Sequence, residues 1–137
     1  MLAALLSAIP LLICMGYFFM GSLPLLVLQH DTPMDSRFIR DFFNTYYVAV
    51  VCTASVPAIS FALVGHLAFS AGMMAIAALA LFLRRVVLSH MDRLRTRIES
   101  ADSTAAKEFR HIHLTGMAVN LVQLVALVWG LFHASNP

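Results

Sequence analysis

A small set of polar side chains inside otherwise apolar sequence is where chemistry is first suggested. At about 100° per residue, His113, Gly116, Met117, Asn120 and Gln123 fall within one helical arc of about 120°. Their surroundings are apolar, and polar groups in such surroundings must find partners, so this face is expected to point inward. Gly116 would admit close approach of another helix. Thr53 and Ser60, which flank Pro57 and the carbonyl groups it frees, are the expected partners on a second apolar segment. The set His113, Asn120, Gln123, Thr53 and Ser60 can act in two ways. It can be interhelical hydrogen bonding worth about 1 kcal/mol per contact, or it can bind a polar ligand or ion. The absence of Asp and Glu from the apolar segments argues against a carboxylate proton relay.

The six histidines raise a metal reading. His30 closes the first apolar segment and His113 opens the last, so the two are expected at equal depth on facing elements. Such a pair could ligate haem iron or copper. His111 and His113 lie about 200° apart on a helix and would not share one ion. There is no HExxH and no Cys/His zinc spacing. Cys14 and Cys52 lie in apolar sequence, form no CxxC pair and read as small packing residues. Met73 and Met74 are adjacent, face different ways, and belong among the gap-fillers of apolar cores. With no GxSxG and no glycine-rich phosphate loop, no catalytic residue is assigned. No cofactor is expected on the main reading, and haem or copper on His30 and His113 is the alternative.

The elements that must position these residues follow from the charges. All sixteen Asp, Glu, Lys and Arg lie in two windows, Asp31 to Asp41 and Arg84 to Arg110. A charge at the centre of a hydrocarbon layer costs roughly 3 kcal/mol or more. Residues 1–30, the 42 residues from Phe42 to Leu83 and everything after Arg110 carry none. One crossing needs about 20 apolar residues. The pattern predicts an all-α integral membrane four-helix bundle, one domain over 1–137, with spans near 2–28, 42–64, 70–88 and 112–132. Pro10 and Pro24 predict a kink or late start in the first span. That span lacks a basic leader and is longer than a signal-peptide core, which argues against a cleaved signal.

All nine Lys and Arg fall in the two windows. By the positive-inside rule both windows are expected in the cytoplasm and both termini outside. The net charge of +2 follows from this topology, and no nucleic-acid partner is implied because acidic residues interrupt the basic ones. Expected partners are membrane lipid, with another membrane protein or a homo-oligomer as further options. Arg84 and Arg85 at the membrane edge could meet anionic headgroups or simply snorkel.

Within the first window, Pro33 followed by Asp35-Ser36 predicts a stop and an N-cap before the second span. Tyr46 and Tyr47 are expected at the headgroup level. Gly65-His66 should turn the chain, with Ser70 capping the next helix. In the second window Val87, Met91, Leu94 and Ile98 recur at helical spacing. The third helix should therefore run into the cytoplasm to about Ser100, with Arg93, Arg95 and Arg97 away from the stripe. Asp102 or Ser103 should cap a return helix that brings Phe109 onto Met91 and Leu94.

The stretch Val87–Leu124 resembles an uncharacterised family of small bacterial four-span proteins, domain of unknown function 4149, distantly similar to a eukaryotic four-span family. The resemblance lies in Phe109, His111 or His113, and the run Asn120-Leu121-Val122-Gln123-Leu124, together with Phe42-Phe43 and Tyr46-Tyr47. The family's Leu-His pair is Ile112-His113 here, and its following serine is replaced by Gly116. The resemblance implies a four-helix bundle of a bacterial inner membrane, with the polar face of the last helix turned inward, and no assigned activity. The expected function is a non-enzymatic accessory, assembly or structural membrane protein. The alternatives are a haem- or copper-handling protein, including an oxidoreductase, and a small-solute or ion transporter acting as an oligomer.

Overall fold

In a computed structural model that describes residues 1–135, the chain is all-helical. Residues 136 and 137 of the expected single domain lie outside the described residues. The helices are α1 (Leu2–Ser7), α2 (Ile9–Leu25), α3 (Pro33–Leu63), α4 (Leu67–Glu99) and α5 (Ser103–Ser135). Together α1 and α2 form one long apolar unit, and with α3, α4 and α5 they make four helices long and apolar enough to cross a membrane.

Boundaries follow local chemistry. The expected first span of 2–28 divides at Ala8, beside Pro10 in the first turn of α2, and ends at Leu25. Proline has no N–H to donate to the preceding turn, which breaks the ladder there. The second helix starts at Pro33 rather than 42. Its cap is Thr32, whose Oγ1 accepts from the Asp35 amide at 3.1 Å, so Asp35-Ser36 lies inside the first turn instead of capping it. Proline at the first helical position loses no intrahelical bond, so Pro33 begins this helix and does not stop the one before it.

Between α3 and α4 the chain turns as a Schellman motif. His66 N–H donates to Phe61 O at 2.9 Å and Gly65 N–H to Ala62 O at 3.1 Å, with Gly65 at φ +80°. This turn lets α4 start at Leu67, so Ser70 is not its cap; Ser70 Oγ donates across to Ala58 O at 2.7 Å. The α4–α5 turn repeats the geometry, with Asp102 N–H on Arg97 O and Ala101 N–H on Ile98 O. Here alanine occupies the left-handed position, at φ +60°, which costs about 1 kcal/mol relative to glycine. The expected extension of the third helix is present, ending at Glu99. The fourth helix is longer than 112–132 because it continues from the Asp102 cap, whose Oδ1 accepts from the Thr104 amide and hydroxyl. Those bonds, with Arg97 beside them, hold the Asp102 carboxyl down to about 2.

α3 packs along α4, α4 along α5, and α2 against both α3 and α5. α3 and α5 face each other across the middle and meet through long side chains. Two kinds of core result. Toward the charged turns, Phe18, Phe43, Tyr46, Tyr47 and Phe109 fill the interior. Toward the opposite end the core is mainly alanine, with Ala4, Ala8, Ala54, Ala58, Ala77 and Ala134 around Phe61. Met91, Leu94 and Ile98 of the α4 stripe are buried in the same cluster as Phe109. Ile13, Tyr17, Ile59, Phe82, Val122, Trp129 and Phe132 are exposed on the outer faces. That pattern suits helices whose outer surface is solvated by hydrocarbon.

Candidate functional site

His30 and His113 meet at the charged end of the interior. His30 Nε2 lies 3.0 Å from His113 Nδ1, and both residues are 0 % exposed. His113 is placed by α5 and held at its edge by Phe43, at a ring-centroid distance of 5.4 Å and an interplanar angle of 81°. His30 follows the last turns after α2 and adopts φ +62°. A non-glycine residue in the left-handed region is strained by about 1–2 kcal/mol, so the surrounding contacts must hold it there. Phe109 packs on its other side, with ring centroids 6.0 Å apart. Burial pushes the His30 imidazole below its ordinary value, so the neutral ring is the resident form at neutral pH. A neutral pair shares one N–H···N bond, in which one ring donates and the other accepts. His113 Nε2 has no partner, and His30 Nδ1 lies near the Leu28 backbone, short of hydrogen-bond geometry.

Two turns along α5, Asn120 is 1 % exposed and its Nδ2 donates to Tyr46 Oη at 2.7 Å. The expected partners Thr53 and Ser60 do not take part. Thr53 Oγ1 donates to Ala49 O in its own helix, and Ser60 Oγ to Val56 O. Such back-bonding satisfies a hydroxyl locally and removes the need for a cross-helix partner. Tyr46 and Tyr47 face the bundle interior: Phe18 stacks on Tyr46 with centroids 3.8 Å apart, and Tyr47 packs against Phe43 and Tyr46. Gly116 does admit a close neighbour, but it is a ring and not a helix. A Cβ there would overlap the edge of Phe43. Asn120 Oδ1, Gln123 Nε2 and Ser22 Oγ are buried without a protein partner, which suits ordered water or a small polar guest.

The remaining histidines and the cysteines are dispersed. His66, His90 and His111 are exposed, in keeping with the opposed directions of His111 and His113. Cys14 and Cys52 are both free; Cys14 is half-buried, whereas Cys52 is exposed on an outer face and is not a packing residue of the interior. Met73 is buried and Met74 exposed. Arg84 donates from Nε to Asn44 Oδ1 at 3.0 Å, while Arg85 is exposed.

Sequence reasoning missed two features. One is Tyr46, although Ile39, Phe43, Tyr46, Val50 and Ala54 recur at intervals of 4, 3, 4 and 4, the signature of a buried helical face. The other is the charge network. Arg40 grips Asp92 with two bonds of 2.9 and 3.1 Å, and Arg97 binds Asp102, Glu108 and Thr104, tying the end of α4 to the start of α5. Basic residues read only as solvated topology markers are thus also structural clamps, and no local pattern reveals which acid each will meet.

Neither the family models, nor the curated proteins, nor the solved structures include a match to this chain.

Proposed function

We propose that the protein is a multi-pass protein of the bacterial inner membrane, a four-helix bundle with both termini outside and both charged turns in the cytoplasm. Its role on this reading is non-enzymatic: an accessory, assembly or structural membrane component. The observation that carries it is the Asn120–Tyr46 bond across the middle of the helices, set among stacked aromatic rings. Here Asn120, at the centre of the inward polar face of α5, joins two helices. Support for the orientation comes from the restriction of every Lys and Arg to the two charged windows. The proposed kinship with the small four-span family rests on Phe109, His113 and the Asn120–Leu124 run. Lipid is the expected neighbour of the outer faces, with Arg85 free to meet a headgroup. Another membrane protein or a second copy is the remaining class of partner.

As packed, His30 and His113 do not fit haem. Axial nitrogens on opposite sides of an iron stand about 4 Å apart with a macrocycle between them, and here they touch at 3.0 Å between Phe43 and Phe109. The test is the purified full chain, by visible spectrum in detergent and by solute flux after reconstitution into liposomes. No Soret band and no flux above empty liposomes are expected. A Soret band, or flux lost in Asn120→Leu while the fold persists, would overturn the reading.

A further inference from the structure

We infer that His30 Nε2 and His113 Nδ1 form a binding site for a single monovalent copper ion, completed by the thioether of Met117. The inference goes beyond the structural role proposed above and does not depend on it.

The two nitrogens face each other at 3.0 Å. They aim at one point from two separate elements, a strained residue after α2 and the first half of α5. Both rings are fully buried, so neither is held by solvent. An ion bound about 2.0 Å from each nitrogen takes the place of the shared proton. At the present separation of 3.0 Å the angle at the ion would be about 100°. Opening the pair by about 0.5 Å reaches the 120° of a three-coordinate centre, whereas a linear or haem-like arrangement needs about 1 Å.

Proton balance is simple. The neutral pair carries two N–H groups, one per ring. On binding, the facing proton shifts to the outer nitrogen of its own ring, so each ring keeps one N–H and none is released. His30 Nδ1 then carries its hydrogen beside the Leu28 backbone, at a contact that falls short of hydrogen-bond geometry as packed.

The choice of ion follows from what else is present. Among the described residues no group of three or more His, Cys, Asp and Glu forms a metal site, so the pair lacks the third and fourth ligands that zinc takes from such side chains. Met117 lies one turn beyond His113 on the same buried face of α5. Helical side chains lean toward the helix N-terminus, so its sulfur leans toward His113. Two imidazoles and a thioether, in a buried site of low coordination number, select monovalent copper over harder divalent ions.

The test uses the full chain in detergent micelles, loaded with monovalent copper under ascorbate and titrated against bicinchoninate. His30→Gln and His113→Asn are the variants, since each keeps a hydrogen-bonding atom near the nitrogen it replaces, and thermal melting checks their fold. One copper per chain is expected, with affinity in each variant falling by more than the roughly 10–100-fold that losing a merely supporting residue costs. X-ray absorption of the loaded wild type should show imidazole scattering and one sulfur, and Met117→Leu should lose the sulfur alone. The absorption spectrum decides the matter if either histidine variant misfolds. Failure of the wild type to bind, unchanged affinity in the folded variants, a spectrum without imidazole, or preferential loading with zinc would overturn the assignment. None of these outcomes bears on the absence of haem and flux expected above.

Discussion

The two hairpin turns share one backbone geometry and are built by different means. Val64-Gly65-His66 has no charged residue and relies on glycine to reach φ +80°. Ser100-Ala101-Asp102 reaches φ +60° with alanine, inside a network in which Arg97 binds Asp102, Glu108 and Thr104. The contrast extends inward from each turn. Behind the charged turn stand stacked rings and the buried polar contacts, and behind the glycine turn stands a core mainly of alanine. An opening of about 200 Å³ beside Gly72 and Gly130 separates α4 from α5 there. Specific packing and polar recognition are concentrated at the end of the molecule that carries the charges. The other end is held by short connections and small residues.

Substitutions should expose this asymmetry. The largest effect is expected at Leu94, which is 2 % exposed in the aromatic half. Leu94→Asp would bury an unpaired carboxylate and should cost about 3–5 kcal/mol in thermal or denaturant unfolding. Arg95→Ala should cost under about 1 kcal/mol, because its partner Asp92 is half exposed and keeps Arg40. Equal tolerance at the two positions would mean that the stripe is not a packed face.

Glycines sharpen the same contrast. Gly116→Val must displace the Phe43 ring and should cost about 2–3 kcal/mol. Gly130→Ala meets nothing within 4 Å and should be neutral or stabilising by up to about 1 kcal/mol. At the polar contact, Asn120→Leu should cost about 1–2 kcal/mol by stranding the Tyr46 hydroxyl. Adding Tyr46→Phe should recover part of that loss, since removing both partners leaves nothing unpaired. An additive double mutant would show that the bond contributes nothing.

The smallest effect is at the alanine turn. Ala101→Gly should stabilise by about 0.5–1 kcal/mol, because glycine relieves the left-handed strain. Destabilisation would show that the turn adopts another geometry.

Much of the architecture could be read from charge alone, because a run of 42 residues without a charge leaves few alternatives for a chain of this size. The pairing of His30 with His113 was legible as equal depth on facing elements, and the Asp102 cap as a short acceptor ahead of a helix. The helix starts were harder. Thr32-Pro33 and Asp35-Ser36 both carry cap chemistry, and only the three-dimensional path selects the first. The partner of Asn120 was hidden because hydroxyl residues near mid-helix look available, whereas Thr53 and Ser60 satisfy themselves on their own carbonyls. Tyr46 was read from its proximity to the charges and not from the inward face it occupies. Membrane-edge tyrosines and buried tyrosines look alike until the face they occupy is counted.

The central claim is that both charged turns share one side of the membrane, with the glycine turn and both termini on the other. Cysteine scanning in a background free of Cys14 and Cys52 tests it directly, with His66→Cys, Ser100→Cys and Ser135→Cys labelled by a membrane-impermeant maleimide on intact spheroplasts. Residues 66 and 135 should label from outside, and residue 100 only after the membrane is opened. Labelling of residue 100 from outside, or protection of residue 66, would contradict the topology.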